Sequence, residues 1–98
     1  MSGKQKRYLR GLGHKLKPVV TVGKQGLGPA VISQVEANLL AHELIKIRLL
    51  ESCPLGKDEC AEAVMQATGA ELAQSLGHTQ LYYRPHPEQP TLALPAGD

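Results

Sequence analysis

The stretch from Pro18 to Pro29 constrains the fold more than any other part of the chain. The three valines between Pro18 and Gly23 are β-branched and apolar and follow a proline, which is typical of a short buried strand. The strand ends at Gly23, and Gly28-Pro29 is typical of the start of a helix, where proline sacrifices no hydrogen bond. A strand, a glycine turn and a helix therefore follow one another, which indicates an α/β domain.

The turn itself reads Gly23-Lys24-Gln25-Gly26. Glycine lets the backbone approach a ligand, and the first turn of a helix offers unpaired N–H groups and a partial positive charge. With Lys24 beside them, these groups favour an anion such as phosphate, although many glycine turns only redirect the chain. The turn lacks the Gly-Lys-Ser/Thr ending of a Walker loop and the third glycine of a dinucleotide fingerprint. A nucleotide-binding enzyme is therefore disfavoured.

Charge is segregated along the chain, although the formal net charge is only +2. Residues 1–35 carry seven cations and no acid, whereas residues 36–98 carry four cations and all nine acids. Such a distribution predicts one strongly positive surface. A surface of this kind attracts a polyanion even when the total charge of the protein is small.

Length and composition limit the class of protein. The 98 residues, 42% of them hydrophobic, suffice for one domain with a single modest core. No apolar run is long enough to span a membrane, and two cysteines are too few for a secreted disulfide framework. We therefore expect a reduced, cytoplasmic, monomeric protein with no membrane partner and no small-molecule substrate.

Periodicity predicts three helices and four strands. The first helix spans residues 3–16, with Ser2 as its N-cap and a buried stripe of Leu9, Leu12 and Leu16. The other elements are a strand to residue 22, a helix over 29–42, a strand over 44–50, a helix over 56–69, and strands over 71–77 and 80–84. The expected fold is a compact α/β domain of order α-β-α-β-α-β-β, with a four-stranded mixed sheet and helices packed on it.

Two further segments carry expectations of their own. A proline-rich tail, residues 86–98, follows the domain of residues 1–85 and is expected to be extended or loosely held. In the strand over 44–50, apolar residues alternate with Lys46 and Arg48, which therefore share the outward face. These two cations either are ordinary solvated residues or extend the basic surface of the glycine turn, if the two strands are neighbours.

Several runs of residues occur in a distinctive order. They are Lys4-Gln5-Lys6-Arg7-Tyr8-Leu9-Arg10, Leu16-Lys17-Pro18-Val19-Val20, Val22-Gly23-Lys24-Gln25-Gly26-Leu27, His42-Glu43-Leu44-Ile45-Lys46-Ile47, Gly69-Ala70 and Leu81-Tyr82-Tyr83-Arg84-Pro85. Together they resemble the CRM domain (chloroplast RNA splicing and ribosome maturation) in its stand-alone, bacterial YhbY-like form, over residues 4–85.

The resemblance implies a fold similar to the C-terminal domain of translation initiation factor three. It implies binding of ribosomal RNA and association with precursors of the large ribosomal subunit. It also implies that Gly23 to Gly26 form a Gly-X-X-Gly loop that grips the RNA backbone, as the corresponding loop of KH domains does.

The candidate RNA-binding residues combine the glycine turn with the N-terminal basic residues. They are Gly23, Lys24, Gln25, Gly26, Lys4, Lys6, Arg7, Arg10, His14, Lys15 and Lys17. Lys24 and backbone N–H groups would hold phosphate, and the other cations would supply a wider electrostatic track. The aromatic residues are only Tyr8, Tyr82 and Tyr83, each equally suited to core packing, so recognition should depend on shape and phosphate.

Other chemistry has little support in the sequence. A zinc site built from Cys53, Cys60 and His42 or His78 lacks the closely spaced cysteine pair of structural zinc sites. Nothing signals a catalytic pair, so we predict no enzyme, no metal and no cofactor. A non-enzymatic RNA-binding module acting in large-subunit assembly is favoured. The alternative is a basic adaptor whose positive face binds an acidic protein partner.

Overall fold

A computed structural model describes residues 1–96 of the chain, so the last two residues of the predicted tail, 97–98, lie outside the described residues. The described part has the predicted elements in the predicted order. They are α1 (Gly3–Gly13), β1 (Pro18–Val22), α2 (Pro29–His42), β2 (Leu44–Leu49), α3 (Lys57–Thr68), β3 (Glu71–Leu76) and β4 (Thr79–Tyr83). The predicted fold class, a compact α/β domain with a four-stranded mixed sheet, is confirmed.

The sheet has the strand order β1-β2-β4-β3. β1 and β2 are parallel, and β4 is antiparallel to both of its neighbours, so β1, β2 and β3 run in the same direction. The carboxyl ends of these three strands therefore meet at one end of the sheet, where α2 and α3 also begin. We call this the turn end, because it holds residues 23–28 and 50–56, and the opposite end, which holds Glu43, Arg84 and Glu71, the tail end.

The two faces of the sheet are covered unequally. α2 and α3 cover one face, and a buried apolar cluster lies beneath them: Val20, Val22, Val35, Leu39, Ile45, Ile47, Leu49, Cys60, Val64, Ala70 and Tyr82. On the other face α1 packs against β2, β3 and β4, and the smaller buried cluster is Leu9, Leu44, Ala73, Leu81 and Tyr83. β1 is an edge strand, so part of this second face is left without a covering helix.

The first helix begins as predicted but ends earlier. Ser2 is its N-cap: the Ser2 hydroxyl accepts a hydrogen bond from the Gln5 N–H at 3.1 Å, and the Gln5 side chain accepts one from the Ser2 N–H. The helix ends at Gly13 rather than at Leu16. Gly13 packs so closely on β4 that a Cβ atom there would lie 2.6 Å from Leu81 Cδ2.

The predicted buried stripe of α1 is largely wrong. Leu9 is fully buried, but Leu12 and Leu16 remain 39% and 38% exposed. The reason is the unequal covering of the sheet: only one helix lies on this face, so its flank has nothing to pack against. Leu40 on α2 and Ala67 on α3 are exposed as well.

The described part of the tail, residues 86–96, contains no helix or strand, and it is fixed to the domain rather than loosely held. The carboxylate of Glu43, only 2% exposed, accepts hydrogen bonds from the backbone N–H groups of His86, Thr91 and Leu92 at 2.8, 2.7 and 3.0 Å, and from the Thr91 hydroxyl. Leu92 and Leu94 pack against the smaller apolar cluster. One buried acid thus holds the tail across the second face.

A second polar cluster joins elements at the tail end. Arg84 donates two hydrogen bonds to the Glu36 carboxylate, at 2.6 and 2.9 Å, and a third to the Thr68 carbonyl at 2.7 Å. The Arg84 hydrogen bonds hold the pKa of Glu36 below its usual value. Arg84 therefore ties β4 to α2 and to the end of α3, which is a structural role.

Candidate nucleic-acid interface

The glycine turn at the end of β1 is a tight, exposed reverse turn. The Gly26 N–H donates to the Gly23 carbonyl at 3.0 Å, and Lys24 and Gln25 are exposed at the tip. Gly26 has φ +67°, a backbone conformation that is unfavourable for residues other than glycine, whereas Gly23 has no positive φ. Gly26 is buried, and a Cβ atom there would lie 3.5 Å from Pro54 Cγ. The turn is therefore anchored at Gly26 and presents Lys24 and Gln25 to solvent.

The helix that follows this turn has an uncompensated amino terminus. Gly28 is the N-cap and supplies no side-chain hydrogen bond, Pro29 opens the helix, and the first turn contains no acid. The partial positive charge of the helix end and its N–H groups thus point to the turn end, and the helix has no acid in its own first turn to neutralise them. This is the local arrangement that favours a bound anion.

The predicted cations of the N-terminal segment are exposed. Lys4, Lys6, Arg7 and Arg10 lie on α1, and His14, Lys15 and Lys17 lie in the loop to β1. Within residues 1–96, the six cations of the 1–35 segment other than Lys4 form no ion pair with any acid. Because α1 packs on the face opposite α2 and α3, its four cations lie on that side of the molecule.

The structure separates the helix cations from the glycine turn and places two other cations between them. α1 packs on β2, β3 and β4, whereas Lys24 follows the edge strand β1. Ile45, Ile47 and Leu49 face the larger cluster, so Lys46 and Arg48 project from the opposite face, which α1 shares. Arg48 pairs with Thr21, directly before the glycine turn.

Lys46 and Arg48 were not among the predicted site residues, although the alternation of β2 had raised the possibility that they extend the basic surface. They can extend this surface only if β1 and β2 are neighbours, and the strand order shows that they are. The basic residues on this side of the sheet, all exposed except the half-buried Lys46, run from α1 across β2 toward the turn end. We call this set, Lys4, Lys6, Arg7, Arg10, His14, Lys15, Lys17, Lys46, Arg48 and Lys24, the basic track.

Two of the three tyrosines belong to the core. Tyr82 is fully buried, and its hydroxyl donates to the Gln80 side chain at 2.5 Å, while the Gln80 amide donates to the Lys57 carbonyl at 3.0 Å. Burial raises the pKa of Tyr82 above its usual value. Tyr83 is also buried, whereas Tyr8 on α1 is 41% exposed. Tyr8 is therefore the tyrosine available to stack on a base.

Among residues 1–96 no three His, Cys, Asp or Glu side chains come together as a metal ion would require. Cys60 is a buried residue of α3, and burial raises its pKa to about 11, so its thiol stays protonated. Cys53 packs, half-buried, against the larger cluster. In residues 1–96 no helix has the length and apolar character needed to cross a membrane.

Comparison with known protein families gives one match over almost the whole described chain. The model of the CRS1/YhbY (CRM) domain matches residues 1–84. The chain belongs to the CRS1/YhbY (CRM) domain family. The resemblance of the sequence motifs is thereby confirmed.

Individual relatives extend the match into the tail. The probable RNA-binding protein YqeI of Bacillus subtilis is 38% identical over 95 residues, which cover 97% of this chain and 99% of that protein. An RNA-binding protein of Haemophilus influenzae is also 38% identical, with 97% and 95% of the two chains covered. The solution structure of the hypothetical protein SAV1595 from Staphylococcus aureus superimposes with a TM-score of 0.81 at 39% identity, covering 97% of this chain and 99% of that one.

Proposed function

We propose that this CRM domain is a non-enzymatic RNA-binding protein that binds ribosomal RNA and associates with precursors of the large ribosomal subunit during assembly. It acts as a monomer in the cytoplasm and needs no cofactor. RNA lies along the basic track, and its backbone is held at the glycine turn by Lys24 and by backbone N–H groups.

One observation carries the proposal: basic residues, most of them exposed, lead across one side of the sheet to a glycine turn at the amino terminus of a helix whose first turn contains no acid. An isolated basic patch attracts any polyanion. A turn that presents backbone N–H groups next to a lysine adds a short-range site for a single phosphate. The combination suits a polymer of phosphates better than a single small anion.

Ribosomal RNA is the proposed polyanion because of the family. Relatives that match nearly the whole chain are named as RNA-binding proteins. The CRM domain, which the sequence motifs resemble, takes its name from chloroplast RNA splicing and ribosome maturation. Two of the three tyrosines are buried, so base stacking on aromatic residues has little part in binding. Shape and phosphate contacts therefore provide most of the affinity.

The proposal is tested by the affinity for large-subunit ribosomal RNA fragments at several salt concentrations. If about 4 to 6 phosphates are contacted, log K should fall against log[salt] with a slope of about −3 to −5. Lys24→Glu should weaken binding about tenfold and make the slope shallower, because one phosphate contact becomes a repulsion.

Lys57→Glu is the matched control. Lys57 is also exposed at the turn end, where it is the first residue of α3, but the first turn of that helix contains Asp58 and Glu59. The same charge reversal there should change affinity much less than at Lys24. Equal losses for both variants would show that only net charge matters and would contradict a specific site.

Association with assembling ribosomes requires a separate measurement. The tagged protein should cosediment with immature large-subunit particles and be depleted from mature ribosomes. If it binds an acidic protein partner tightly while RNA binding stays weak and indifferent to Lys24→Glu, the adaptor function replaces the one proposed here.

A further inference from the structure

We propose that the groove beside α1 binds an unpaired nucleotide of the RNA, with the base against its apolar floor and the phosphate against its basic rim. The inference rests on the proposed function and adds to it a class of substrate, RNA with an accessible single strand. The groove has a volume of about 490 Å³ and lies between α1, the start of β1 and β2, with Leu92 of the tail at one side.

The floor of the groove is made of large aliphatic side chains left partly in solvent. Leu12, Leu16 and Val19 are 39%, 38% and 46% exposed, and they line the groove together with Leu44, which is buried. Scattered exposed aliphatic residues are ordinary on a protein surface, but here two leucines and a valine border one concave site. Covering them with an apolar ligand surface would remove them from water and favour binding.

The polar side chains on the rim of the groove are basic or neutral. Lys17, Lys46 and His42 are among the lining residues, and no acid of residues 1–96 is. Glu43 lies between His42 and Leu44 in sequence but does not line the groove, because its carboxylate is buried and bonded to the tail. The ligand that matches this lining has an apolar surface and a negative charge close together.

A nucleotide has both features in one unit. Its base presents flat apolar faces, and its phosphate carries the charge that Lys17 and Lys46 would meet. The volume is in the range of small-ligand sites and admits one nucleotide rather than a duplex. Because a base inside a duplex is stacked on its neighbours, only an unpaired nucleotide can enter.

The position of the groove connects it with the proposed RNA path. Lys17 and Lys46 belong both to its rim and to the basic track, and Lys46 is followed on the same face of β2 by Arg48, next to the glycine turn. On the other side, Tyr8 precedes Leu12 by one helical turn and is 41% exposed. An RNA strand on the basic track would therefore pass directly over the groove.

The experiment compares two labelled RNAs by fluorescence anisotropy: a single-stranded uridine dodecamer and a hairpin with a fully paired stem. The variants Leu16→Ser and Val19→Ser remove apolar surface from the groove and change no charge. Each should weaken binding of the dodecamer about fivefold, the lower part of the range for loss of a base contact. Neither should change the affinity for the paired stem or the slope of log K against log[salt].

Leu40→Ser is the matched control. Leu40 is 44% exposed, similar to the groove residues, but it lies on α2 and does not line the groove. It should leave the affinity for both RNAs unchanged. A second measurement needs no variant: a dodecamer containing 4-thiouridine, crosslinked to the wild-type protein, should modify peptides that contain residues 12–19 or 42–46.

The inference fails if the groove variants bind both RNAs as the wild type does, if they lose the two RNAs equally, or if crosslinks map only outside those peptides. In each of these cases Lys24→Glu can still weaken binding, and the proposed function then stands without the groove. If the wild-type protein binds neither RNA in a salt-dependent manner, the proposed function fails first and the inference fails with it.

Discussion

The two ends of the sheet are built differently. At the tail end, Glu43 accepts four hydrogen bonds from the tail, and Arg84 joins Glu36 and the Thr68 carbonyl. At the turn end, the glycine turn has one internal hydrogen bond, and Lys24 has no acidic partner among residues 1–96. Glu43 and Arg84 at the first end are thus bonded within the protein, whereas Lys24 at the second end is exposed to solvent.

A further contrast exists within the turn end itself. The helix after β2 begins with Gly56, whose N–H donates to the Glu59 side chain at 3.2 Å, and its first turn contains Asp58 and Glu59. The helix after β1 has no such cap and no such acids. Two connections of the same topology thus differ in charge: the second has acids in the first turn of its helix, and the first has none. We therefore expect stability to be concentrated at the tail end and anion binding at the first connection.

The largest expected loss of stability comes from Glu43. Glu43→Ala removes the acceptor for three backbone N–H groups and the Thr91 hydroxyl, while the residue keeps a left-handed conformation with φ +65°. We expect the free energy of unfolding to fall by about 2–3 kcal/mol. Chemical denaturation measures this change in unfolding free energy. The control is Glu51→Ala, at an exposed glutamate of the turn end, which should change stability by less than about 0.5 kcal/mol. Similar losses at both glutamates would contradict the contrast between the ends.

The same residue should make stability depend on acid pH. Burial alone would raise the pKa of Glu43, but the hydrogen bonds from Thr91, His86 and Leu92 outweigh burial and lower the pKa from 4.5 to about 2. Because the folded-state pKa is the lower one, the contribution of Glu43 is present above pH 4.5 and is lost as the pH falls toward 2. Denaturation across this window should therefore show the advantage of wild type over Glu43→Gln shrinking with acid. An advantage that stays constant over the window would show that the carboxylate charge is not what holds the tail.

A smaller effect is expected at the glycine turn. Gly26→Ala places a side chain at φ +67°, so it should cost about 1 kcal/mol of stability. Gly23→Ala in the same turn has no positive φ, and its Cβ would meet Leu50 Cδ1 at an ordinary 3.4 Å, so its effect should be clearly smaller. Thermal unfolding of both variants measures the two losses of stability. Equal losses would show that the positive φ of Gly26 is not what makes a side chain unfavourable there.

The smallest expected effect on stability is at Lys24. Its side chain is exposed and has no ion pair among residues 1–96, so Lys24→Glu should shift the unfolding free energy by less than about 0.5 kcal/mol. The variant thereby separates binding from folding, because its RNA affinity should fall while its denaturation midpoint stays in place. A loss comparable to that of Glu43→Ala would assign Lys24 to the fold and remove the contrast between the two ends.

Much of the fold could be predicted because its signals are local. The helix start at Ser2, the β1–turn–α2 unit and the alternation of β2 all depend on residues close in sequence, and each is present as predicted. The exposure of Leu12 and Leu16 could not be predicted in this way. A helical stripe shows which side of α1 is apolar, but how much of that side is covered depends on how many elements share the face.

The sequence by itself determined the order of elements, the family and the acid-free N-terminal segment, because propensity, motif and charge are carried by each residue wherever it lies. Tertiary structure alone decided that β1 and β2 are neighbours, which brings Lys46 and Arg48 into the basic track, and that Glu43 holds a tail more than forty residues away. Those outcomes depend on strand order and on which backbone N–H groups find a buried acceptor. Such pairings are fixed only when the whole chain has packed.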